Sequence, residues 1–169
     1  MATAKEKQRQ RRGKNPFTET GTVARNKRAR HDFQIEETVE AGLQLYGSEV
    51  KSLRLGRASV GQAYAGESKG EIWLWNAHID EYPPAMFNHD PKRPRKLLVH
   101  KRERDKLLGA LNQKGYTLVP MDIHFNSRGL AKLTLGLAKG KSKVDKREDE
   151  KKKAWEREKA KVLREYKKM

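Results

Sequence analysis

Three pairs of side chains in this 169-residue chain are of types that catalysis uses: His31-Asp32, Glu36-Glu37 and His89-Asp90. Adjacent residues on a strand point to opposite faces, so His31 and Asp32 cannot converge on one atom. Glu36-Glu37 is more simply a solvated strand bulge than a pair of catalytic carboxylates. His89-Asp90 lies in Asn88-His89-Asp90-Pro91, where Asp-Pro reads as a turn. Five histidines with no cysteine and no H-E-x-x-H spacing give no metal site. Gly136 to Gly140 lacks the spacing of a phosphate-cradling loop. No catalytic residue, metal or cofactor is expected; the chain reads as a binder.

The binding chemistry is cationic. Lys92, Arg93, Arg95 and Lys96 sit near the ends of a loop, where side chains reach phosphates, and His89 and His100 can stack or donate. RNA recognised by shape is contacted in this way, through phosphates, 2′-hydroxyls and unstacked bases. Lys101, Arg102 and Arg104 open a helix, against its dipole. Glu40, beside Ala41-Gly42, either accepts from a base or ribose hydroxyl or is a plain exposed strand residue.

The net charge of +17 is unevenly spread. Residues 1–30 carry ten Lys/Arg against two acids, net +8, and residues 139–169 carry fourteen against seven, net +7. The middle, 31–138, carries fifteen against thirteen, with eight of the fifteen inside Lys92–Lys106. A near-neutral body with a basic patch and two basic ends attracts a polyanion in a salt-dependent way. Nucleic acid fits better than membrane, because no basic stretch carries a broad apolar face. Nothing is long and apolar enough to span a bilayer. Met1 to Arg12 has no apolar core, so no secretory leader is expected. The absence of cysteine fits a cytoplasmic protein.

The elements that must position these groups are mostly strands. Phe33, Ile35, Val39, Ala41, Leu43 and Leu45 recur with period two, interrupted at Glu37, which predicts a strand with a bulge or two short strands. Gly47 turns the chain, Ser48 offers an N-cap, and a short helix runs to Gly56. Val60–Ala65 and Glu71–Ile79 read as strands around a turn at 66–70, the second apolar on both faces. Arg95–Val99 is extended, and a helix follows from His100 to Lys114. Tyr116–Phe125 and Leu130–Ala138 form a hairpin in which Pro120 marks an edge or a bulge. The fold class expected is mainly β: a closed antiparallel OB-like barrel with two or three short helices.

Residues 1–25 are expected as a disordered basic arm, 26–141 as the barrel and 142–169 as a charged tail. Asn26, Lys27, Arg28, Arg30 and His31 form the part of the arm nearest the first strand. The tail is rich in helix formers but has a narrow apolar line of Trp155, Val162, Tyr166 and Met169. It reads as a helix ordered by a partner, or else as an ordinary solvated terminal helix.

The segments NKRARH (26–31), EAGL (40–43), GSEVKSLR (47–54), NHDP (88–91), RPRKLL (93–98), HKRE (100–103), GYTLVP (115–120), LAKGK (137–141) and DKR (145–147) resemble, in order, those of the SsrA-binding protein (small protein B) family of bacterial trans-translation. The resemblance covers about Asn26 to Arg147. It implies binding to the tRNA-like domain of transfer-messenger RNA (tmRNA), as a monomer, and entry into ribosomes stalled without a stop codon. The elongation factor that carries aminoacyl-tRNA would be met through the RNA. Glu40, Leu98 and Lys132 match family residues important for RNA binding, with the 26–31 arm and Lys51 beside them. Lys139, Gly140, Lys141, Asp145, Lys146 and Arg147 match the segment read by the decoding centre of the small subunit. The tail, with Trp155, would become helical in the empty message channel. Val144 stands where the family usually has His or Tyr, and Ser142 where Lys is usual. The alternative is a structural ribosomal or ribosome-assembly protein with an OB-like barrel.

Overall fold

The computed structural model describes residues 21–166. In chain order these form β1 (Gly21–Arg25), α1 (Ala29–Asp32), β2 (Phe33–Leu43), α2 (Gly47–Arg54), β3 (Ala58–Ser59), β4 (Tyr64–Ser68), β5 (Glu71–Trp75), β6 (His78–Ile79), β7 (Arg95–Leu98), α3 (Lys101–Leu111), β8 (Tyr116–Phe125), β9 (Ala131–Gly140) and α4 (Lys143–Tyr166).

Six strands pair antiparallel in the circuit β8-β4-β5-β7-β2-β9, and β9 returns to β8. This ring has the mainly β, antiparallel, OB-like character expected, and it leaves few unpaired edges. Its longest seam joins β2 to β9, from Phe33 opposite Gly140 to Gly42 opposite Lys132. The register shifts between Ile35 and Glu37, the bulge that the break in period announced. A second shift falls between Pro120 and Asp122 of β8, where proline has no N–H for the ladder.

The alternating residues meet inside the ring. Ala41, Ile72, Leu74, Leu133 and Leu135 are fully buried, and Leu53 of α2 and Leu107 of α3 join the same core. Truncating one of these leucines to alanine costs about 2–5 kcal/mol, through lost burial and the cavity left behind.

Four expectations are corrected. The arm is structured from Gly21 on: β1 pairs with β8, Gly21 opposite Phe125, because Val23 and Ala24 give it an apolar side to lay on the ring. Residues 1–20, the rest of the expected arm, lie outside the described residues, as do residues 167–169. The strand expected at Val60–Ala65 is β4, which starts at Tyr64 and runs through Gly66 to Ser68; the turn is only Lys69-Gly70, both at positive φ (53° and 73°). Glu71–Ile79 is split by Asn76, whose φ of 57° ends β5. Trp73 and Trp75 face outward and are only half-buried, so β5 is covered on one face alone.

Candidate nucleic-acid interface

On the outer face of the ring one register row crosses four strands. Leu98 of β7 lies opposite Gly42 of β2, Gly42 opposite Lys132 of β9, and Lys132 opposite His124 of β8. Gly42 is needed there: a Cβ at this position would sit 3.3 Å from the Leu98 Cβ. Glu40, two residues earlier and therefore on the same face, accepts a hydrogen bond from His124 Nε2 (3.1 Å) and lies 3.9 Å from Lys132 Nζ. Behind it, Asp122 is 2.9 Å from His124 Nδ1 and accepts from the Thr134 hydroxyl (3.1 Å). Glu40 and Leu98 are half open to solvent (53% and 52% exposed). Sequence reasoning did not single out His124 or Asp122; their alternation on β8, level with Lys132, was the available signal.

The arm is built to present its cations. Asn26 donates from Nδ2 to the Pro120 carbonyl (3.0 Å), and its Oδ1 accepts from the N–H groups of Arg28 and Ala29 (both 3.2 Å). This turn fixes α1 against β8 and leaves the side chains of Lys27, Arg28 and Arg30 exposed. Asn26 itself is therefore a positioning residue. Lys51 is exposed beside the Tyr82 ring (5.5 Å). Lys101 and Arg102 are exposed on the first turn of α3, where Glu103 accepts from the His100 N–H (3.1 Å) and offsets their unfavourable place. Lys96 is held 3.4 Å from Glu71.

Three residues of the basic patch do other work. Glu49 of α2 is fully buried and accepts from the Tyr46 N–H (2.7 Å), from Arg93, and from Arg95 Nε (2.8 Å). Arg95, also fully buried, spends its other N–H groups on the carbonyls of Ala77, Arg93 and Pro91 (2.6–3.1 Å). Arg93 lies half-buried over the Tyr46 ring, 4.0 Å from its centre. His89 is buried, donating from Nε2 to the Ile79 carbonyl (3.0 Å) with the Ser48 hydroxyl 2.8 Å from Nδ1. Arg95 and His89 cannot reach a phosphate, and Arg93 is committed to Glu49. The long 80–94 segment has few apolar side chains to bury, so its backbone is tied down by buried polar groups. Burial pushes the Glu49 carboxyl up, but the hydrogen bonds from Arg93 and Tyr46 and the charge of Arg95 outweigh it and hold it below the usual range.

A family model described as "SmpB protein" matches residues 23–165. An SsrA-binding protein of Rhodospirillum rubrum is 54% identical over 155 residues, 90% of this chain and 97% of that one. One of Nitrobacter hamburgensis is 55% identical over 143 residues, 84% and 91% of the two chains. The chain belongs to the SmpB protein family. A solved SmpB-family structure described as "tmRNA-SmpB: a journey to the center of the bacterial ribosome" superposes with a TM-score of 0.59 at 52% identity, covering 70% of this chain and 84% of that chain.

The second group of SmpB-family positions lies where β9 passes into α4. Lys139 lies 3.2 Å from Glu36 and over the Tyr116 ring, and Gly140 ends the strand opposite Phe33. Lys141 donates to the Arg30 carbonyl (3.0 Å) and to Asp149. Ser142, in place of the usual lysine, caps the helix: its hydroxyl accepts from the Asp145 N–H (3.2 Å) and the Asp145 carboxylate accepts from the Ser142 N–H (3.2 Å). Lys146 reaches Asp32 (3.3 Å), while His31 lies 3.0 Å from both Asp32 and Glu150. The start of α4 is thus latched to the segment 30–32. The bonds to Asp32 and then Glu150 raise the His31 pKa above its ordinary 6.5; His31 lowers that of Asp32, and Lys141 that of Asp149. Arg147, Val144 and Trp155 stay exposed, Trp155 with Lys159 5.2 Å from its ring centre. α4 runs unbroken from Lys143 to Tyr166, with Trp155, Val162 and Leu163 open along it.

Proposed function

We propose that this chain binds tmRNA through its tRNA-like domain and brings it to stalled ribosomes, so that the nascent peptide is tagged for proteolysis. The observation that carries this reading is the row Leu98–Gly42–Lys132 with Glu40 beside it. Three residues far apart in sequence, each matching a family RNA-binding position, come together on one exposed face. An acceptor, a cation and an apolar side chain on one face suit a folded RNA with an unstacked base and 2′-hydroxyls. Lys27, Arg28 and Arg30 of the arm, with Lys51, Lys101 and Arg102, supply the phosphate charge.

Residues 26–141 are assigned to RNA binding and 142–169 to the ribosome. Lys139, Gly140, Lys141, Asp145, Lys146 and Arg147 would meet the decoding centre, and α4 with Trp155 the message channel. The chain acts as a non-catalytic cytoplasmic adaptor, a monomer on its RNA, and meets the elongation factor that carries aminoacyl-tRNA through that RNA.

The test is a salt-titrated binding comparison of the tRNA-like domain of tmRNA with an elongator tRNA. The expected result is a clear preference for the first. Equal binding to both, with the same steep salt dependence, would leave only a basic RNA-binding ring and favour a structural ribosomal role.

A further inference from the structure

A second recognition feature lies away from the Glu40 row. Between the arm and the turn before β4 is a cleft of about 210 Å³, floored by residues 117–120 of β8 and walled by residues 26–33 on one side and 61–64 on the other. Its floor is four to seven residues along β8 from His124, about 13–23 Å at roughly 3.3 Å per residue.

The cleft has an aromatic wall prepared in advance. Tyr64 is 58% exposed, and its ring stacks on Trp75 with centroids 5.6 Å apart and planes 21° apart. Gly66, the next outward residue of β4, gives Trp75 the room to lie there; a Cβ would come 3.3 Å from its ring. Tyr64 is thus braced on one side by an indole and open elsewhere, which spares the ordering cost of a free aromatic. The opposite wall is fixed by the Asn26 bond to Pro120. At the mouth are the exposed guanidinium of Arg28 and the exposed amide of Gln62. The one carboxylate lining the cleft, Asp32, is engaged by His31 and Lys146. A bare anion would need several converging donors, which this cleft lacks. A flat, π-faced ligand carrying one negative charge fits: a nucleobase with its phosphate.

We propose that this cleft takes one unstacked nucleobase of the bound RNA, stacked against Tyr64, with Gln62 at its edge and Arg28 on the adjoining phosphate. The proposal rests on the tmRNA reading and adds to it a second grip, distinct from the Glu40 row.

The experiment measures binding of the full-length chain to the tRNA-like domain of tmRNA across a salt series. The variants are Tyr64→Phe, Tyr64→Leu, Arg28→Gln and Lys132→Ala. Tyr64→Leu keeps an apolar side chain on Trp75 but removes the π face, and a melting curve confirms that it folds. It should lose about tenfold in affinity at every salt concentration, the scale of one base–aromatic stack. Tyr64→Phe should bind as the unaltered chain does. Arg28→Gln should flatten the salt dependence by about 0.7 in log–log slope. If Tyr64→Leu binds as tightly as the unaltered chain while Lys132→Ala weakens, the cleft is empty and the tmRNA reading survives. If the unaltered chain does not prefer this RNA, the reading itself fails and takes the proposal with it.

Discussion

Two clusters in this molecule each set one glutamate among basic side chains and serve opposite ends. In one, Glu49 is surrounded by Arg93, Arg95 and the Tyr46 N–H, with no solvent reaching the carboxylate. In the other, Glu40 faces His124 at 3.1 Å and Lys132 at 3.9 Å, and half of it remains in water. The first is saturated, so it has nothing left to offer a ligand; it fixes the 80–94 segment to α2. The second is under-committed, and a ribose hydroxyl or base edge can replace its internal contacts at little cost. Charge alone does not mark an RNA site; spare hydrogen-bonding capacity does.

The comparison breaks most readily at Glu49. Glu49→Ala leaves two guanidinium groups without their counter-charge and should destabilise the fold by about 3–5 kcal/mol in denaturant unfolding. The same cluster makes stability pH-dependent. Glu49 has a lower pKa folded than unfolded, so its contribution is present above the ordinary carboxylate range and is lost as pH falls through the folded value. Acid titration of the melting temperature should show this loss, and Glu49→Gln should remove that pH dependence.

At the open cluster the balance reverses. Lys132→Ala should cost roughly tenfold or more in affinity for the tRNA-like domain, yet alter stability by no more than about 1 kcal/mol, as exposed ion pairs do. A melting temperature that fell as far as that of the Glu49 variant would make the two clusters alike.

The latch between arm and tail should respond to pH from both sides. His31, raised, supports docking below about 6.5 and loses it as pH rises through its folded value; Asp32 and Asp149, lowered, lose theirs on acidification. Amide-exchange protection of residues 143–150 should therefore peak between those limits, and His31→Ala should remove the alkaline limb. The smallest effect is expected at Ser142→Ala, worth about 1 kcal/mol of helix stability through the lost cap, read as fraying of the first turn of α4.

Much of this was legible in the sequence. The period-two runs gave β2, β8 and β9 to within two residues, and the interruptions at Glu37 and Pro120, each readable in two ways, are bulges; the shift between Thr22 and Ala24 of β1 had no such sign. The family motifs gave Glu40, Leu98 and Lys132 as separate positions; that they share one face, with Leu98 and Lys132 in the row of Gly42, depends on strand register across β7, β2 and β9. That Arg95 turns inward is not legible in the sequence, for a simple cause. A run of basic residues looks the same whether its partners are phosphates or a buried glutamate 46 positions away in the chain. Glu49, within a helix between Gly47 and Leu53, carries no local sign of burial. β1 was missed because five mixed residues acquire a strand conformation only from the edge of β8.

Only Lys141 and Ser142 separate β9 from α4, and both are tied, one to the arm and one to the helix it starts. A 24-residue helix is about 36 Å long. Without a slack hinge, the tail works as a pointer on the ring: a small rotation at the Lys141 latch swings its far end through many times that displacement. Where the ring is held, the far end of this helix is held too, within the play of that one latch.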